Sequence, residues 1–132
     1  MSKTLLLVAL GGSLGALSRF GLGKALQHWN PHAHFSVGTL LANLLGCFLM
    51  GALVVIIGGL SDTQREVMVA FLLTGFLGSL TTFSTFILEF FKLKQSNEPK
   101  LIVMHLLGHL ALGVAGLWIG HSLAQRFFIS TS

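Results

Sequence analysis

Residues 74–86 read T-G-F-L-G-S-L-T-T-F-S-T-F, an apolar segment crowded with hydroxyls and glycines. On an unbroken helix Thr74, Gly78, Thr81 and Thr85 fall at i, i+4, i+7 and i+11 and form one polar stripe. Phe83 lies two residues from Thr81, roughly 200° around that helix, and Phe86 also falls off the stripe. A pathway lined by both sets therefore requires the helix to break. Gly75 and Gly78 have low helix propensity, and hydroxyls bonded to backbone carbonyls bend helices. Small and hydroxyl residues also serve plain helix–helix packing in membranes. Their density here favours a lined pathway.

The composition sets the medium. The 132 residues are 53% hydrophobic and only 9% charged, which excludes an ordinary soluble domain. Four runs are long and apolar enough to cross a bilayer: Leu5–Gly23 (interrupted by Arg19), Val37–Leu60, Val67–Leu88 and Leu101–Ala124. They predict a single all-α membrane domain over residues 1–132, with helices at about 4–26, 36–59, 62–94 and 99–126. The acids Asp62, Glu66, Glu89 and Glu98 sit at or beyond the span ends, so no carboxylate is expected inside the membrane. The eight basic residues behind the net charge of +4 are scattered, which fits interfacial anchoring and no nucleic acid. Cys47 is single, so there is no disulfide framework and no cysteine metal pattern. Lys3 followed by Leu5–Leu10 imitates a signal peptide, but no clean cleavage site follows and three more spans do. It reads as a retained first helix.

In the first helix Gly11 and Gly15 form a small-xxx-small pair that admits a close neighbour. Arg19 then interrupts an apolar stretch. It either snorkels to the interface as an anchor or attracts anions into a vestibule, and the sequence leaves both readings open. Gln27–Ser36 is a polar turn whose His28, His32 and His34 match no metal-ligand spacing. In the second helix Thr39, Asn43, Gly46 and Met50 share a face. Asn43 is the informative one, because an amide inside a span faces the bundle interior or a wet cavity. Its partner is another helix or a solute.

Ser61–Gln64 fits a capping box that starts the third helix near Asp62. Unbroken to Lys94, that helix is about 33 residues and ~50 Å long, against a hydrocarbon core of ~30 Å. It overhangs or it is interrupted, and interruption agrees with the pattern at Gly75–Thr82. Glu89 and Lys92 are spaced to pair on its surface. Pro99 suits the first turn of the fourth helix, where His105 and His109 fall at i, i+4. With no acid or third ligand beside them they read as packing or hydrogen-bonding residues. Four spans put both termini and the 61–66 loop on one side. That side holds Lys3, Arg65 and Arg126, against Lys24, Lys92, Lys94 and Lys100 on the other, or five basic residues if Arg19 snorkels there. A bias so small predicts insertion both ways round and an antiparallel dimer.

Taken together, G-G-S-L-G-A-L-S-R at Gly11–Arg19, G-T-L-L-A-N-L-L-G at Gly38–Gly46 and G-F-L-G-S-L-T-T-F-S-T-F at Gly75–Phe86 resemble the Fluc/CrcB fluoride channel family. The blocks come in the family's order and, with the four spans, cover essentially the whole chain. The resemblance implies a fluoride-selective channel that exports fluoride across the cytoplasmic (inner) membrane, built as a dual-topology homodimer with two pores. By motif it assigns Asn43, Ser84 and Thr85 to fluoride contact, Phe83 and Phe86 to a phenylalanine box, and Arg19 to the vestibule. It also implies a central structural sodium ion held by backbone carbonyls of Gly78 and Thr81. One departure is the fourth helix, where the family often has a pathway tyrosine and this chain has none; His105 is the candidate to stand in for it.

The chemistry is consistent with that implication. Fluoride is small and strongly hydrated, so a dry pore replaces its water with neutral donors such as Asn, Ser and Thr. Aromatic edges carry partial positive charge and can face an anion. The competing class is a small dual-topology proton-coupled multidrug exporter, which needs a membrane-embedded acid. A passive assembly subunit is a third class. An enzyme is disfavoured because no nucleophile–base or metal constellation appears.

Overall fold

A computed structural model describes residues 1–29 and 36–128. The chain is helical along its length: α1 (Ser2–Leu26) with a short 3-10 turn (Gln27–Trp29), α2 (Val37–Gly58), α3 (Asp62–Met68), a π-helical segment (Val69–Leu77), α4 (Gly78–Leu80), α5 (Phe83–Gln95) and α6 (Pro99–Phe128). Four spans result, the third running from Asp62 to Gln95. Each agrees with the expected helix to within a few residues. Of the expected polar turn, His32 and His34 lie outside the described residues.

Helix starts follow their capping chemistry. Ser36 precedes α2 and its hydroxyl accepts from the Thr39 amide at 3.2 Å. At the start of α3 the Ser61 amide and hydroxyl both donate to Gln64 Oε1, at 3.4 and 3.0 Å. The first of these bonds is one arm of the capping box that the Ser61–Gln64 spacing predicts.

Packing rests on backbone approach through glycine. A Cβ on Gly11 would collide with the Phe71 carbonyl oxygen, and one on Gly15 with that of Phe76. The expected small-xxx-small face of α1 therefore lies directly on the π segment. Across the molecule α2 and α6 make the most extensive helix pair. There, a Cβ on Gly51 would meet the Leu117 carbonyl and one on Gly120 that of Phe48. Ala42, Leu77 and Leu80 form the buried core between α2 and the third span.

The third span breaks, but not at its glycines. Gly75 and Gly78 stay helical, and the chain opens at Thr81 (φ −82°, ψ 154°) and Thr82 (φ −151°, ψ 115°). The π turns were not expected from the sequence. Their wider winding, together with the break, dissolves the single stripe that a regular helix would form. Thr74 and Gly78 are exposed, whereas Thr81 turns inward against Gly46.

Candidate functional site

The break is closed by a residue from another helix. Thr82 donates its backbone N–H to Asn43 Oδ1 at 2.8 Å, and Asn43 Nδ2 donates back to the Thr82 carbonyl at 3.3 Å. An extended residue has no helical partner for either group, and lipid supplies none. One side-chain amide, with a donor and an acceptor side by side, replaces both. The Thr82 hydroxyl then starts α5. It accepts from the Thr85 amide at 3.2 Å, donates to Thr85 Oγ1 at 3.0 Å and lies 3.3 Å from Ser84 Oγ. Thr81 folds its hydroxyl back onto the Leu77 carbonyl at 2.9 Å.

This turn has a consequence for the carbonyls before it. Thr82 N–H, the helical donor for Gly78, is directed to Asn43. Thr85 N–H, the helical donor for Thr81, is directed to Thr82 Oγ1. The carbonyls of Gly78 and Thr81, which the family resemblance assigns to sodium, are thus among those whose regular donors have been diverted. As oxygen donors without charge they fit an alkali cation.

Next to the turn lies a cavity of about 310 Å³. Asn43, Gly46, Cys47 and Met50 line it from α2, Thr81 and Thr82 from the break, Phe83 and Phe86 from α5, and His109, Leu110 and Leu117 from α6. No Asp, Glu, Lys or Arg is among them. Phe83 and Phe86 have ring centroids 5.7 Å apart with planes tilted by 43°. Phe86 is buried, whereas Phe83 is 75% exposed in the single chain.

Of the residues expected at a site, the structure thus gathers Asn43, Thr81, Phe83 and Phe86. Ser84 and Thr85 sit in the same hydroxyl cluster but do not line the cavity. Arg19 on α1 is part-buried and also lies off the lining. Thr82, which no motif argument singled out, is the hub. A hydroxyl just before a new helix in T-T-F-S-T-F was the available signal, since Thr is a good N-cap.

One expectation about Glu89 is corrected, that it pairs with Lys92 on the surface. Instead it is 6% exposed, and Thr39 Oγ1 donates to its Oε1 at 2.6 Å. Thr39 lies in the first turn of α2, the positive end of that helix, where a carboxylate is stabilised. Phe86, Glu89 and Leu93 form the buried face of α5, and that periodicity was readable. On the other side of Glu89 stands His105, fully buried, with Nδ1 3.9 Å from Oε2. His105 Nε2 donates to the Phe86 carbonyl at 2.9 Å, because a carbonyl only accepts.

Residues 6–121 match the family model described as CrcB-like protein, Camphor Resistance (CrcB). The chain belongs to the CrcB family. Curated relatives include the fluoride-specific ion channel FluC of Haemophilus influenzae strain Rd, 39% identical over 97% of this chain and 80% of the relative. Proteins of the same name from Nitratidesulfovibrio vulgaris and Salinibacter ruber are 36% and 42% identical. They align over 89% and 88% of this chain, and over 94% and 85% of their own lengths.

Proposed function

We propose that this CrcB-family chain is a fluoride-selective channel that exports fluoride from the cytoplasm across the inner membrane and so relieves fluoride toxicity. The observation that carries the reading is the cavity: hydroxyls, one amide and two phenylalanine rings at a broken span, with no Asp, Glu, Lys or Arg in its lining. Neutral donors exchange for an anion's water without holding it too tightly to leave. Ring edges offer partial positive charge at the same place. Asn43 keeps one amide N–H beyond the one given to Thr82. Ser84 and Thr85 extend the donor line along α5, and Arg19 serves the approach. The names of the relatives support the same ion.

The working unit of this reading is an antiparallel homodimer with two pores. The small basic bias and the exposure of Phe83 and Ser84 support it, since a partner copy would complete the wall they leave open. A structural sodium ion would be held by the Gly78 and Thr81 carbonyls and would supply fixed positive charge that ties helix breaks together.

The multidrug exporter is the weaker reading. Its required acid is present after all, since Glu89 is buried in the third span. But Glu89 does not line the cavity, and its Oε1 accepts from Thr39. The relatives are named for fluoride. The deciding experiment loads liposomes with fluoride or chloride and follows efflux through the purified protein. Fluoride release with negligible chloride release is expected; comparable chloride flux under the same gradient refutes selectivity.

A further inference from the structure

Of the two phenylalanine rings at the cavity, Phe86 is the one that a neighbouring helix grips. It is 6% exposed, whereas Phe83 is open in the single chain. The grip comes from α6. The His105 ring stacks on the Phe86 ring, with centroids 4.8 Å apart and planes only 19° apart. His105 Nε2 also donates to the Phe86 backbone carbonyl at 2.9 Å. One imidazole therefore holds both the ring of Phe86 and its main chain. The His109 ring closes on Phe86 as well, at 4.7 Å and tilted by 48°.

His105 itself does not reach the cavity. It is fully buried and stands outside the lining that Phe86 enters. Its own ring is backed in turn, since Nδ1 faces Glu89 Oε2 at 3.9 Å and Glu89 Oε1 accepts from Thr39 at 2.6 Å. Thr39 stands one turn before Asn43 on α2. A single buried line thus joins α2, α5 and α6, and it ends on the Phe86 ring.

The plane of that ring matters to an anion. An aromatic ring is electron-rich on its face and electron-poor at its edge, so turning it changes attraction into repulsion. A flat neighbour stacked on one face sets the plane, whereas an aliphatic side chain would fill the same volume and leave it free. Binding geometry of this kind depends on a supporting shell that locks the rotamer of the contacting residue.

We propose that His105 is a positioning residue of the fluoride pathway: without touching the ion, it fixes the plane of the Phe86 ring by stacking on it and bonding to its carbonyl. The inference rests on the fluoride reading. It gives His105 a different task from standing in the path of the ion.

The test is a double-mutant cycle on fluoride efflux from liposomes, with leak from protein-free vesicles subtracted. His105→Gln keeps a side-chain donor but gives up the flat ring, and its flux falls by about threefold or more. His105→Phe keeps a flat ring and recovers the larger part of that loss. On a Phe86→Ile background, which has no ring to orient, His105→Gln costs nothing further. Wild-type flux in His105→Gln, no recovery in His105→Phe, or the full loss repeated on the Phe86→Ile background each overturns the proposal. Wild-type protein that passes no fluoride refutes the channel reading instead. Should the variants not assemble, or Phe86→Ile pass too little to compare, ¹³C-phenylalanine NMR of the wild type decides. The Phe86 ring flips more slowly than the exposed Phe20 ring; equal flip rates overturn the proposal.

Discussion

Asn43→Ala should destabilise the fold as well as slow conduction, because one amide closes both open valences of Thr82. The substitution leaves the Thr82 N–H and carbonyl without the partners now at 2.8 and 3.3 Å, at a residue only 8% exposed. A buried backbone group left unsatisfied costs about 1–3 kcal/mol. Two such groups set an upper range of about 2–6 kcal/mol. Interhelical hydrogen bonds in membranes often measure below 1 kcal/mol, since the unfolded state finds partners too. A loss of about 3 kcal/mol follows for Ala, and a smaller loss for Asn43→Asp, which keeps an acceptor for Thr82 N–H. Unfolding in mixed micelles of mild detergent and SDS measures both. Asn43→Ala within about 0.5 kcal/mol of wild type would show that the break holds without its amide, and the account of the third span would fall.

Gly15→Ala should cost several kcal/mol, because its Cβ meets the immovable Phe76 backbone, whereas Gly21→Ala on the same helix, with open space around it, should be nearly neutral; equal effects in the same unfolding assay would refute the packing argument. Gly46→Ala should drive its Cβ into Thr81 Cγ2, which cannot swing away without breaking the Thr81–Leu77 bond, so a loss of about 1–3 kcal/mol should be largely restored in Gly46→Ala/Thr81→Ser. Phe83→Ile and Phe86→Ile should each cut fluoride flux sharply with the fold intact, and full flux in both would return the rings to ordinary packing. A single cysteine in the 61–66 loop, on a Cys47→Ser background, should be labelled from both sides of the membrane; labelling from one side alone would rule out dual topology.

The spans, the close face at Gly11 and Gly15, and the existence of a break were legible because each follows from local composition or spacing. The position of the break was less so. Glycine propensity pointed to Gly75 and Gly78, but both are held helical, Gly75 against the backbone of Gly11 and Gly12. The opening went to Thr81–Thr82, where Asn43 could supply the missing bonds. That partner is remote in sequence by 39 residues, and no window over one helix contains it. Glu89 was misplaced for a similar reason. Its burial depends on Thr39 and His105 arriving from two other helices, while hydropathy counts only its neighbours along the chain. Asn43 itself was flagged as needing a partner, but a backbone partner was not foreseen.

The Asn43–Thr82 clasp also dictates an order of events during biogenesis. A segment alone in lipid satisfies its peptide groups only as a continuous helix, so the third span enters the bilayer intact. The second span precedes it off the ribosome and already carries the amide. The kink at Thr81–Thr82 is therefore born on docking, when Asn43 captures the Thr82 peptide groups and leaves the Gly78 carbonyl without its helical donor. What reaches the membrane is an inert rod, and the opened turn exists only once its neighbour has arrived.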